Sequence, residues 1–170
     1  VAIGKDALDA NTTGADNTAV GKGSMSAIID GGSNTAVGLS ALSDDTKGSK
    51  STGVGYQALS SQNFTSATDS HNTAVGYNAG SLISTGEKNT IAGSTAGDAL
   101  TTGFNNTVMG YDALGSNTAS GAHVAIGYEA LATMNSTTNT SQFNVAVGTQ
   151  AGKLLTTGTY NTFIGPQSGF

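Results

Sequence analysis

The side chains able to do chemistry are few in this chain of 170 residues, and they are scattered. His71 and His123 are its two histidines, and it has no cysteine. Neither histidine stands near a nucleophile in a recognisable motif, and both read as exposed loop residues. The acids Asp44, Asp45, Asp69, Asp98, Asp112 and Glu129 are the next candidates. Stacked turn carboxylates can hold calcium, which is bound through oxygen ligands. Here the aspartates share no single column of the sequence pattern, so no metal is expected. A catalytic centre needs a nucleophile, a base and a stabilising group that converge. No such set is visible, and the sequence predicts neither an enzyme nor a cofactor. The Gly-rich stretches follow no phosphate-binding or dinucleotide spacing.

Two weaker kinds of site remain. Tyr56, Tyr77, Tyr111 and Tyr128 each follow a glycine, in a variable column that reads as a rim. They could contact sugars, although amphipathic packing against neighbouring repeats accounts for them. N-glycosylation sequons occur at Asn11, Asn63, Asn105, Asn135 and Asn139. Of these, Asn63, Asn135 and Asn139 are the expected glycan acceptors, because they lie in polar inserts that should project from the body.

The elements that position these residues follow from a repeat. A glycine returns at Gly4, Gly21, Gly38, Gly55, Gly76, Gly93, Gly110, Gly127, Gly148 and Gly165. The interval from Gly4 to Gly21 is kept throughout, except for two longer steps, Gly55–Gly76 and Gly127–Gly148. Those two are equal to each other, and three ordinary steps separate them, so a four-rung unit appears twice. A fixed period of this kind marks a solenoid or array. The residues just before the glycine are mostly Val or Ile, and three before it stands Thr or Val. This short β-branched segment reads as a strand. Between those two columns lies a column of mostly Ala.

Successive strand residues face opposite ways. The Thr and Val/Ile columns therefore share one face, which is expected to be the apolar core. The Ala face is expected to be covered by a partner chain or by the second strand of the same rung. Leu or Met follows four residues after several glycines. Where Gly stands there instead, bulk returns downstream at Leu82-Ile83, Leu100 or Leu154-Leu155, as close packing of one narrow interior would require. Glycines such as Gly14, Gly31 and Gly86 are expected to supply positive φ at the closing turn. Asn17, Asn34, Asn72, Asn89, Asn106, Asn144 and Asn161 open rungs and are expected to form an amide ladder. Ser51 and His123 replace that Asn in the long rungs. The inserts at 60–70 and 132–142 are expected to bulge outward.

The fold class is accordingly all-β, a parallel β-solenoid of about ten rungs with two period lengths. Residues 1–170 read as a single repeat domain and as a piece of a longer repetitive chain. Val124-Ala125-Ile126-Gly127, with Val1-Ala2-Ile3-Gly4 and Val145-Ala146-Val147-Gly148, resembles the head repeat of trimeric autotransporter adhesins. Asn72-Thr73-Ala74-Val75-Gly76-Tyr77, with its Thr-Thr-Gly turns, is similar to repeats of phage tail fibres. The resemblance implies a left-handed parallel β-roll and chains associated side by side.

Composition limits the partners. There is no arginine, only six lysines, and the formal net charge is −5, so nucleic acid is not expected. No apolar run approaches the roughly 20 residues that cross a bilayer. The leading expectation is a structural shaft module, extracellular, on a cell surface or on a virion. It would self-associate as a homotrimer or filament and serve a host-surface glycan or receptor. One alternative is an ice-binding solenoid, suggested by the Thr column, although a face shared with Val and Ile reads as buried. The other is a glycan-cleaving β-helix, against which stands the lack of any recurrent carboxylate pair.

Overall fold

The computed structural model describes residues 1–169. Its strands are β1 (Ala2–Ile3), β2 (Thr18–Val20), β3 (Thr35–Val37), β4 (Gly48–Ser49), β5 (Thr52–Val54), β6 (Thr68–Asp69), β7 (Thr73–Val75), β8 (Thr90–Ala92), β9 (Thr107–Met109), β10 (Val124–Ile126), β11 (Val145–Val147) and β12 (Thr162–Ile164). Among the described residues there is no helix. Ten strands form one parallel sheet in the order β1-β2-β3-β5-β7-β8-β9-β10-β11-β12. Every pairing is in register: Val75 lies over Ala92, Ala92 over Met109 and Met109 over Ile126. The chain is a parallel β-solenoid of about ten turns, as the repeat predicts.

Each strand of the ten-stranded sheet ends at the repeating glycine for two steric reasons. Gly76 has φ +143°, a conformation that side-chain-bearing residues rarely adopt. A Cβ there would also lie 2.4 Å from the carbonyl oxygen of Gly93, in the next rung. Backbone stacks directly on backbone at this corner.

The wall after the glycine is not the second strand that the sequence suggests. Positive φ recurs at alternate residues, as at Gln57 and Leu59, or Asn78 and Gly80. Successive rungs are nevertheless hydrogen-bonded here, with Leu59 N–H donating to Ala79 O (3.1 Å) and Gly80 N–H to Ala96 O (3.0 Å). The closing turns also differ from expectation. Positive φ falls on the second residue after the turn glycine, at Asp16, Ser33, Lys88 and Asn105. The glycine itself is needed for space: a Cβ on Gly31 would sit 2.1 Å from Gly48 O.

The interior reverses the expected assignment of faces. Ala19, Ala36, Ala74, Ala125 and Ala146 have no exposed surface, whereas Val75 is 44% exposed and Met109 49%. The Ala column faces the bore and the Val/Ile column faces out. The bore is narrow, and the opposite wall fills it with Met25, Leu42, Leu59, Leu114 and Leu131, all buried. Small residues stand across from most of them, Ala in three rungs and Gly53 in the rung of Leu59, while Val108 faces Leu114. The rung's own second wall covers the Ala face, which was one of the two alternatives expected.

Volume compensation is visible at atomic detail. A Cβ on Gly80 would lie 3.0 Å from both Ile83 Cδ1 and Ile91 Cδ1, and one on Gly97 would lie 3.0 Å from Leu100 Cδ1. Ile83 and Leu100 occupy the space that Leu fills in other rungs. Leu82 and Leu154 do not take part and are exposed.

The long rungs begin inside the body. Gln62 and Phe64 of the first insert are buried, as are Met134 and Ser136 of the second. The excursion proper is Thr65–Ala67 and its counterpart 137–139, which are exposed. Both inserts then rejoin the stack: β6 pairs with β4, and Ser141 bridges Gly121. The two pairings are equivalent, since Ser49 opposite Asp69 holds the place in the first unit that Gly121 opposite Ser141 holds in the second.

Candidate interaction face

The outward side of the ten-stranded sheet carries three columns: Thr three residues before each glycine, Val/Ile/Met just before it, and the tyrosine column just after it. Thr73, Thr90 and Thr107 are exposed. So are Ile3, Val37, Leu39, Met109 and Ile164, and the four tyrosines of the column. Parallel in-register stacking puts like on like. Tyr56 and Tyr77 stack at 5.1 Å between ring centroids with planes 9° apart, and Tyr111 and Tyr128 at 5.7 Å and 12°. The tyrosines do pack on neighbouring rungs, and their rings stay open to solvent. The three columns hold only two charged residues, Lys5 and Lys22. A largely apolar, nearly uncharged strip thus runs along one side of an acidic chain.

A third aromatic stack, Phe143 on Tyr160 (5.3 Å), lies at the opposite edge of the strands, in the positive-φ column before the Asn ladder.

Behind the sheet runs the amide ladder. Asn72 Oδ1 accepts the N–H of Asn89 (2.9 Å), and Asn89 Oδ1 accepts the N–H of Asn106 (3.0 Å). Each Nδ2 donates across its own rung to the closing-turn carbonyl, from Asn72 to Gly86 (2.7 Å) and from Asn89 to Gly103 (2.9 Å). Amide-to-amide bonds run from Asn89 to Asn72 (3.2 Å) and from Asn161 to Asn144 (3.0 Å). The expected ladder is present, and it is buried except at Asn161, which is half-buried.

At the substituted rungs the ladder opens into polar clusters. Asp45 is buried, and its carboxylate accepts from Gln62 Nε2 (2.6 Å), Gly48 N–H (2.9 Å) and Phe64 N–H (3.3 Å). In the second unit, Ser120 Oγ lies 2.9 Å from His123 Nε2 and donates to Asn117 Oδ1 (2.9 Å). His123 is fully buried in the Asn column, which corrects its reading as an exposed loop residue. Its Nδ1 has no partner, and burial pushes its pKa down to about 4. His71 is exposed as expected. The Ser120–His123 pair has a nucleophile and a base in reach of each other, but both are sealed from solvent.

The acids are not wholly scattered. Asp112 and Glu129 follow their glycines by two residues in consecutive rungs. Burial, with Glu129 beside it, raises the Asp112 pKa, while hydrogen bonds from Lys153 and Gln150 lower that of Glu129. Burial, then Asp112, raises Asp98. Among the described residues, no three His, Cys, Asp or Glu side chains are grouped to hold a metal ion. The predicted glycan acceptors Asn63, Asn135 and Asn139 are all exposed. Asn63 Oδ1 accepts from Thr46 (3.1 Å) and Asn135 Oδ1 from Thr118 (3.5 Å), equivalent pairs in the two units. Asn139 borders a cleft instead. No helix of the described residues is long and apolar enough to cross a membrane.

Comparison with known proteins finds no matching family model, no matching curated protein and no matching solved structure.

Proposed function

We propose that this chain is a structural shaft segment of an extracellular or virion-surface fibre, of the tail-fibre or surface-adhesin kind that its repeats resemble. It works by length and stiffness. Ten rungs stacked at about 4.8 Å span roughly 45 Å, and backbone hydrogen bonds run along the whole axis. Copies associate through the outward strand face as a homotrimer or filament. The observation that carries this reading is the exposed, in-register strip of Val75, Met109, Tyr77 and Tyr111 on a chain of net charge −5. Copies repel one another elsewhere but can meet along this strip. Sedimentation velocity at micromolar concentration tests it. An oligomer is expected, and Val75→Asp with Tyr77→Asp should return it to monomer with the circular dichroism spectrum of the parent. A clean monomer from the parent chain overturns the assembly.

The exposed inserts fit the same setting. Asn63 and Asn135 would carry N-linked glycans, shielding the fibre from proteolysis. Intact-mass measurement on material from the native source tests this, and a bare polypeptide mass refutes it.

A second reading gains from the reversed faces. Against ice binding stand the interruption of the Thr column at Val1, Val124 and Val145 and its expected burial; the second no longer holds, since Thr73, Thr90 and Thr107 are exposed in consecutive strands. Thermal hysteresis shown by a monomeric chain would favour ice binding over the shaft; none is expected.

A further inference from the structure

Duplication of the four-rung unit provides an internal comparison, and the two copies differ sharply at one place. In the first unit, two ion pairs cross the side of the closing turns. Lys47 Nζ lies 3.9 Å from Asp30, and Lys50 Nζ lies 2.6 Å from Asp69. At the equivalent positions of the second unit, all four charged side chains are gone. Ala119 stands for Lys47, Ala122 for Lys50, Thr102 for Asp30 and Ser141 for Asp69.

A cleft of about 320 Å³ opens there. Phe104, Asn105 and Thr102 come from one closing turn, Glu87 and Lys88 from the rung before, and Asn139 overhangs from the second long insert. The rung between is trimmed to Ala119-Ser120-Gly121-Ala122. A Cβ on Gly121 would collide first with the Phe104 carbonyl oxygen and would also lie 3.1 Å from the Phe104 ring. The frame does not demand this lining. The first unit builds the same rungs with Gly32 for Phe104, Ala15 for Glu87, Ser33 for Asn105 and Ala67 for Asn139.

We propose that this cleft binds a neutral saccharide. Its chemistry selects that class. Asn105, Asn139 and Thr102 can each donate and accept hydrogen bonds, as sugar hydroxyls do. Glu87 and Lys88, 3.7 Å apart, bring an acceptor and donors without net charge. Phe104 is half-buried and is the aromatic residue of the lining, and in the proposal the C–H face of a pyranose lies against its ring. The lining is mostly polar, which suits a hydroxyl-rich ligand better than an apolar one. Asn139 acts through its own amide, unmodified. The site goes beyond the shaft reading and does not depend on it.

Saturation-transfer NMR on the chain expressed in bacteria, and so without N-glycans, tests the assignment. The probes are lactose, maltose, cellobiose and diacetylchitobiose, with sialyllactose and a heparin tetrasaccharide as charged comparisons. At least one neutral sugar should receive saturation, and Phe104→Ala should weaken it about tenfold. Thr102→Asp with Ala119→Lys restores the first unit's ion pair and should abolish binding at unchanged melting temperature. Because that pair already exists in the first unit, the variant tests the cleft without threatening the fold. No transfer to any neutral sugar overturns the proposal. So do preferential binding of the charged probes, and binding unchanged in both variants.

Discussion

Replacing Asn89 with alanine removes four hydrogen bonds from the interior at once. Its Oδ1 accepts from Asn106 N–H (3.0 Å) and Asn106 Nδ2 (3.1 Å), and its Nδ2 donates to Gly103 O (2.9 Å) and Asn72 Oδ1 (3.2 Å). Two of the four partners keep other bonds: Asn106 Nδ2 still reaches Ser120 O, and Asn72 Oδ1 still accepts from the backbone N–H at position 89. The backbone N–H of Asn106 and the carbonyl of Gly103 are left buried and unpaired. Each such orphan costs about 1–3 kcal/mol, so the loss is roughly 4 kcal/mol. For a chain of this size, 1 kcal/mol moves the melting temperature by about 2–4 °C. The expected drop is therefore about 8–16 °C in calorimetry or thermally scanned circular dichroism. Thr90→Ala, one residue away on the exposed face, is the comparison and should stay within about 0.5 kcal/mol of the parent. If Asn89→Ala melts alongside Thr90→Ala, the ladder does not hold the rungs together and the reasoning fails.

Ala74→Asp should cost about 4 kcal/mol or more, since it places an unpaired charge in the bore, whereas Val75→Asp should leave the melting of the isolated chain nearly unchanged; equal effects in thermal melts would restore the opposite assignment of faces. Gly76→Ala should prevent folding of the central rungs, because its φ of +143° and the 2.4 Å approach to Gly93 O leave no room; a native circular dichroism spectrum would contradict the stacked corner. His123 is held neutral, at about 4 against an ordinary 6.5. Since the unfolded chain takes up the proton first, its contribution is whole above pH 6.5 and is lost as pH falls from there through about 4. The loss is about 3 kcal/mol. His123→Asn should flatten that dependence in pH-resolved melts, and an unchanged slope would mean that the ring is solvated.

The repeat, the register and the amide ladder were legible because each is a steric or hydrogen-bonding necessity recurring at a fixed interval. The facing of the strand was misread by applying the usual rule that bulk goes inside. The signal against it was present. The ladder Asn and the Ala column are two residues apart, as Asn72 and Ala74 are, so they share a face, and a buried ladder carries the Ala with it. His123 was misread as a loop residue although it stands in the Asn column. The Leu59 wall could not be read as left-handed at alternate residues, because leucine normally avoids that region. The cleft was invisible in any single rung. Its only trace was the departure of Phe104 and Asn139 from Gly32 and Ala67 in the earlier copy.

The interior column seven residues after each glycine runs Asn11, Ile28, Asp45, Gln62, Ile83, Leu100, Asn117, Met134 and Leu155. Rungs this alike on the outside could slide past one another by one turn, within a chain or between chains, with little change on the surface. The interior forbids it. Sliding by one rung would set the Asp45 carboxylate against an aliphatic neighbour in place of Gln62, and Gln62 Nε2 would lose the shorter of its two acceptors. The order of polar and apolar plugs thus works as a bar code, giving each rung an address and making misregistered stacks cost several buried, unsatisfied groups. Because that code is not repeated between the two units, Asp45 and Gln62 giving way to Asn117 and Met134, a domain swap of one unit for the other is also marked as wrong.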